Sequence, residues 1–183
     1  MIVVGIDQSL VCTGLAALEL RGGTWVCRAT SVVRTKPDAK ATHLYKADQD
    51  GMRIDEIADG VVAFLRWQPK PRLVALEAPA GAQSASAAKA LGLAYGTVRT
   101  AVRMAGDQPI VVQAHHAKKA AAGLASATKD EVIAAMRSRW MWRPEGAKPV
   151  IEAMADALAV ATCALDEPTV RAMTSAQERS AHA

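Results

Sequence analysis

The apolar and polar positions of this chain predict a sheet laid down first, with helices added after it. Residues 2–7 (IVVGID) form a short apolar run closed by a charge, as a buried strand ends at a sheet edge. Residues 15–20 and 24–33 read as two further strands. Arg21-Gly22-Gly23 separates them, and its glycines can supply the positive φ angles of a tight hairpin. The opening third is therefore expected to be an antiparallel three-stranded meander.

A polar stretch over 35–50, carrying Pro37, reads as a loop. Ile54, Ile57, Val61 and Leu65 then fall at helical spacing, which predicts an amphipathic helix over 51–67, ended by Pro69 and Pro71. Residues 73–77 (LVALE) repeat the buried-strand pattern and again end in an acid. An Ala-rich helix over 84–104, a short strand over 110–113 and a helix over 114–122 stopped by Gly123 follow. Thr128 and Glu131 form a capping box for a helix over 128–140, and the last helix covers 150–165. No repeat or linker interrupts this order, so residues 1–166 are expected to form one domain. Residues 167–183 lack an apolar face and are expected to be a disordered polar tail. A meander followed by strand–helix units predicts an α/β fold with a mixed sheet flanked by helices.

Half of the residues are hydrophobic, yet only seven are aromatic, so small Ala and Val side chains must let helices pack closely on the sheet. The net charge of +4 is mildly basic. Residues 114–148 hold seven basic residues against three acidic ones and so equal the whole net charge. That segment is either a nucleic-acid face or a solvated helical surface. Cys12, Cys27 and Cys163 show no metal-ligand spacing and no disulfide framework, which predicts reduced thiols and a cytoplasmic setting. The start MIVVGI lacks the basic opening of a secretory signal, and no apolar run reaches the roughly 18 residues of a membrane span.

The chemistry is carried by acids. Asp7 and Glu77 close predicted strands, while Glu152 and Asp156 lie four residues apart on one face of the last helix. Converging carboxylates repel one another unless a cation neutralises them. Mg²⁺ prefers such oxygen ligands, and two ions about 4 Å apart stabilise both oxygens of a phosphodiester displacement. A lone surface acid or helix cap is the ordinary alternative, weakened for Asp7 and Glu77 by the strands they terminate.

Three segments, GIDQSLVCTGLA, LVALEAPAG and EAMADALAVA, resemble in that order the RuvC family of Holliday-junction resolvases. Between them, QSASAAKALGLAYGTV and HHAKKAAAGLASATKDEVIAAM resemble the family's helix after the strand-end Glu and its lysine-bearing segment. The likeness runs from residue 2 to about 165. It implies an RNase H-like fold with a mixed five-stranded sheet. It also implies a divalent-metal site at Asp7, Glu77 and Asp156, with Asp7 shared by two Mg²⁺ ions for which Mn²⁺ can substitute. The family's usual fourth ligand, three residues before the last Asp, is Ala153 here. Glu152 is the only nearby acid, a candidate ligand or a solvated helix residue. Gln8 replaces the family's usual Pro, a change expected to alter the turn more than the chemistry. Lys118 and Lys129 match the family's lysines near bound DNA, with Lys119 and Arg137 as nearby additions. The helix over 84–100 resembles the family's dimer helix, which implies a homodimer acting on a branched, four-way DNA substrate and leaving 5′-phosphate and 3′-hydroxyl ends.

His115 and His116 lack partners at ligand spacing and are expected to be exposed or to contact phosphate. Of Trp140 and Trp142, at least one is expected in the core, with base stacking the alternative. The loop holding Pro79 and Gly81 has no aromatic wedge. Gly14 and Gly92 are expected where backbones approach closely. Three rival readings remain: another branched-DNA or RNA nuclease of the same fold, an ATP-binding protein of the actin and sugar-kinase type, and a non-catalytic junction-binding protein.

Overall fold

In a computed structural model, residues 1–37 and 45–181 are described, with side chains described as far as residue 176. The meander is formed by β1 (Ile2–Asp7), β2 (Cys12–Arg21) and β3 (Thr24–Arg34). Gly22 and Gly23 both take positive φ at the β2–β3 hairpin. Two further strands, β4 (Arg72–Glu77) and β5 (Pro109–Val112), complete a sheet of order β3-β2-β1-β4-β5. β1 pairs antiparallel with β2, whereas β1, β4 and β5 run parallel, so their carboxyl ends share one edge.

The alternation of β1 divides the core in two. Ile2, Val4 and Ile6 face α1 (Lys46–Arg66) and α2 (Ala85–Met104). Val3 belongs to the opposite cluster, with α3 (Ala114–Ala122), α4 (Lys129–Trp140) and α5 (Lys148–Ala164). Every residue of α5 from Ala153 to Thr162 is buried, as expected of a helix that is apolar nearly all round. Gly5 and Gly14 let it lie directly on the sheet. A Cβ at Gly5 would stand 2.2 Å from the Ala157 carbonyl oxygen, and one at Gly14 would stand 1.9 Å from that of Ala153.

Three expectations need correction. The first helix begins at Lys46, inside the stretch expected to be a loop; the part of that loop over 38–44 lies outside the described residues. Its core-facing stripe runs on through Asp50 and Arg53, which pair with each other and so bury two charges in phase with Ile57 and Val61. The expected disordered tail instead forms α6 (Pro168–Ala181), where a fully buried Val170 joins the α5-side core. Gly92 has no close neighbour among the described residues. The capping box holds, with Thr128 and Glu131 bonded reciprocally at the start of α4.

Candidate metal centre and nucleic-acid face

Parallel strands of an α/β sheet present their ligand sites at their carboxyl ends, where strand order reverses. β1 has an antiparallel neighbour on one side and a parallel one on the other, and Asp7 and Glu77 are the last residues of β1 and β4. Asp7 stands opposite Gly14, and Gly14 is the residue against which Ala153 of α5 packs. One turn further along α5, Asp156 is brought to the same edge, 8% exposed within the buried middle of that helix.

The carboxylates feel one another. Burial, reinforced by the charges of Glu77 and Asp156, pushes the Asp7 carboxyl up to about 8. Burial also raises Glu77, with Asp156 adding to the effect and Lys129 and Lys118 opposing it. Asp156 is raised by burial as well, against the pull of Lys129 and with a push from Glu152. The Lys129 ammonium bonds directly to the Asp156 carboxylate. Burial alone would lower that amine, but Asp156, Asp7 and Glu77 together hold it above its ordinary range.

Lys129, expected to touch DNA, thus stands among the acids. Among the described residues no three acid, His or Cys side chains gather closely enough to ligate one ion as they stand. The donor set nevertheless fits a hard divalent cation: three carboxylates at one edge, each with its affinity for protons raised by burial and by a neighbouring acid, call for positive charge, and an amine already leans on one of them. Glu152 is half-buried, sits 4.0 Å from Lys148 and reaches Asp156 electrostatically. Ala153 brings no donor.

The other candidates divide by distance from this edge. The charge of Lys118, half-buried on α3, reaches both Glu77 and Asp156. Lys119 and Arg137 are exposed in the last turns of α3 and α4. His115 and His116 are exposed, with their rings 4.1 Å apart. Trp142 is buried and donates to Thr30, while Trp140 is half-buried and donates to Thr162, so both tryptophans serve the core.

A buried polar group behind the site went unnoticed in the sequence. Arg53 donates to the Leu10 carbonyl at 2.8 Å and to Thr35 Oγ1 at 3.0 Å, and Asp50 also accepts from Lys89 of α2 at 2.9 Å. The signal was present: charges at positions 50 and 53 fall in phase with the apolar stripe of their helix.

The family model of the crossover junction endodeoxyribonuclease RuvC matches residues 3–164. The chain belongs to the RuvC family. A Thermus thermophilus RuvC solved in complex with Holliday junction substrate is 27% identical, with a TM-score of 0.70, covering 89% of this chain and 92% of its own. A second Thermus thermophilus RuvC structure, 26% identical, has a TM-score of 0.67 and the same coverages. No curated protein matches the chain significantly. Membership of RuvC accounts for the RNase H-like order of the sheet and removes the ATP-binding alternative. Among the described residues no helix is long and apolar enough to cross a membrane.

Proposed function

We propose that this protein resolves four-way DNA junctions by paired nicks, using divalent metal held by Asp7, Glu77 and Asp156. The observation that carries the reading is the meeting of buried Asp156 with half-buried Asp7 and Glu77 at one sheet edge in a RuvC chain. Mg²⁺ is the metal, probed equally well by Mn²⁺, and when bound as a pair it supplies charge neutralisation and an acidified water for attack on phosphate. Asp7, which both other acids reach, would be the central carboxylate in holding the ions. Glu152 closes the set from the preceding turn of α5. With divalent metal held by the carboxylates, the Lys129 ammonium now bonded to Asp156 would be available to a phosphate, and Lys118, Lys119 and Arg137 would extend that positive face along the DNA arms.

The active species is a homodimer built on α2. A cavity of about 500 Å³ runs between α1 and α2, with Gly92, Gly96 and Thr100 along its rim and Met104 82% exposed at its end. Small residues let a partner helix approach, and two sites related by a two-fold axis suit a near-symmetric junction.

The decisive experiment incubates the protein with a labelled mobile four-way junction in Mg²⁺ and in EDTA, beside a flap and an RNA hairpin. Symmetric paired nicks in Mg²⁺ are expected, absent in EDTA and absent in Asp7→Asn, which still binds the junction. Preferred cutting of the flap or hairpin would move the reading to another nuclease. Binding without cleavage would favour a non-catalytic junction binder, the reading for which Ala153 speaks.

A further inference from the structure

The parallel ladder joining β1 to β4 runs from Ile2–Arg72 to Ile6–Leu76. Asp7 and Glu77 come one residue later, where β1 leaves the sheet for the turn over 8–11 and Glu77 is paired on its other side with Val112 of β5. Gln8 bridges the two strand ends. Its Nε2 donates to the Glu77 carbonyl oxygen at 2.7 Å, a bond between residues 69 positions apart. The contact is with the main chain of Glu77, so the carboxylate stays free.

That bond has an unusual cost. Gln8 is 4% exposed, and its Oε1 is buried with no hydrogen-bond partner among the described residues. The amide cannot be turned to relieve this, because the Glu77 acceptor is a carbonyl oxygen and requires the nitrogen. A buried acceptor left unpaired destabilises a fold by more than an average hydrogen bond contributes, so an apolar side chain of similar volume would serve stability better. A local choice that opposes stability is expected where function requires it. The rest of the turn is secured independently. Thr13 and Ser9 bond to each other, and Arg53 and Thr35 both donate to the Leu10 carbonyl.

We propose that Gln8 is a positioning residue, whose clip to the Glu77 main chain ties together the two strand ends that carry the Asp7 and Glu77 carboxylates, so that both can serve one metal centre. The inference rests on reading this edge as a metal centre.

Gln8→Met, close in volume and apolar, separates this role from a structural one. Three quantities are measured on the full chain: melting temperature in EDTA, the Mn²⁺ dissociation constant by calorimetry, and the Mg²⁺ concentration giving half-maximal junction cleavage. The metal-free melting temperature is expected to hold or rise, because the orphaned acceptor is gone. Mn²⁺ affinity is expected to fall about tenfold, as when groups supporting metal ligands are lost. The half-maximal Mg²⁺ concentration rises in parallel, and cleavage at saturating Mg²⁺ approaches wild type. Gln8→Ala, which adds no new contact, is the second variant should methionine not fit. Unchanged Mn²⁺ affinity in a variant, beside a wild type that binds Mn²⁺ and cleaves, overturns the clip alone. A wild type that neither binds Mn²⁺ nor cleaves removes the metal centre, and the clip with it.

Discussion

At the residue scale, Asp7 makes the metal-free protein pay for its site in stability. Its carboxyl is raised from the ordinary 3.8 to about 8 by burial, Glu77 and Asp156. Between those values the folded state keeps a proton that the unfolded chain has lost. Stability without metal should therefore fall as pH rises from about 4 to about 8 and level off above. A cation needs the ionised carboxylate, so stabilisation by Mg²⁺ should grow across the same window. Thermal melts in EDTA and in Mg²⁺ across this range check both slopes. Asp7→Asn should raise the metal-free melting temperature and flatten the pH dependence while abolishing cleavage; a variant that melts lower with the same slope would contradict the account. Asp7 and Glu77 were legible because each ends an apolar strand. Asp156 needed the family's helix motif, since nothing in the periodicity of a stretch buried from Ala153 to Thr162 marks one acid. The Lys129–Asp156 pair, 27 positions apart, and the Gln8 clip were not legible, because both depend on how separate elements are placed.

At the element scale, the site depends on how closely α5 lies on β1 and β2. Gly5 and Gly14 admit the helix backbone itself, and no rotamer change can make room for a side chain there. Gly14→Ala should lift the first turns of α5 away from Asp7, at a cost of about 1–3 kcal/mol by the usual scale of overpacking. It should also reduce cleavage further than the stability loss explains. Gly92→Ala, measured on protein dilute enough to be monomeric, is the contrast, with nothing among the described residues within 4 Å and a helix interior that gains up to about 1 kcal/mol from the change. Urea unfolding of the two variants beside wild type gives the comparison, and equal effects would deny the special role of Gly14. Both glycines were expected at close approaches, and the structure separates them. Gly14 sits in a strand pattern with a helix across it, whereas Gly92 lies on the outer face of α2. The apolar stripe gave the body of α1 correctly but not its start, because Asp50 and Arg53 occupy core-facing positions that composition alone assigns to solvent. A lone Val170 was likewise too little periodicity to announce α6.

At the scale of the whole molecule, one copy presents one carboxylate edge, whereas a junction has to be cut on two opposed strands. The mixed sheet fixes where that edge faces: α1 and α2 cover the opposite side of β1 from α5, so the proposed dimer helix and the acids do not compete for surface. Gly96 provides the cleanest test of the second copy. It is exposed and has nothing among the described residues within 4 Å of where a Cβ would stand, so there a larger side chain is free to enter. Gly96→Leu should therefore fold as well as wild type, and in a lone helix it should be slightly more stable. Against a partner helix seated on Gly92 and Gly96, the same leucine collides. Sedimentation should show the variant shifting from dimer toward monomer at concentrations where wild type stays paired. Junction cleavage should change character along with rate, yielding single nicks in place of simultaneous pairs on a supercoiled cruciform substrate. A Gly96→Leu protein that remains dimeric and cuts in pairs would place the two-fold contact elsewhere on the surface, leaving the carboxylate edge and its chemistry untouched.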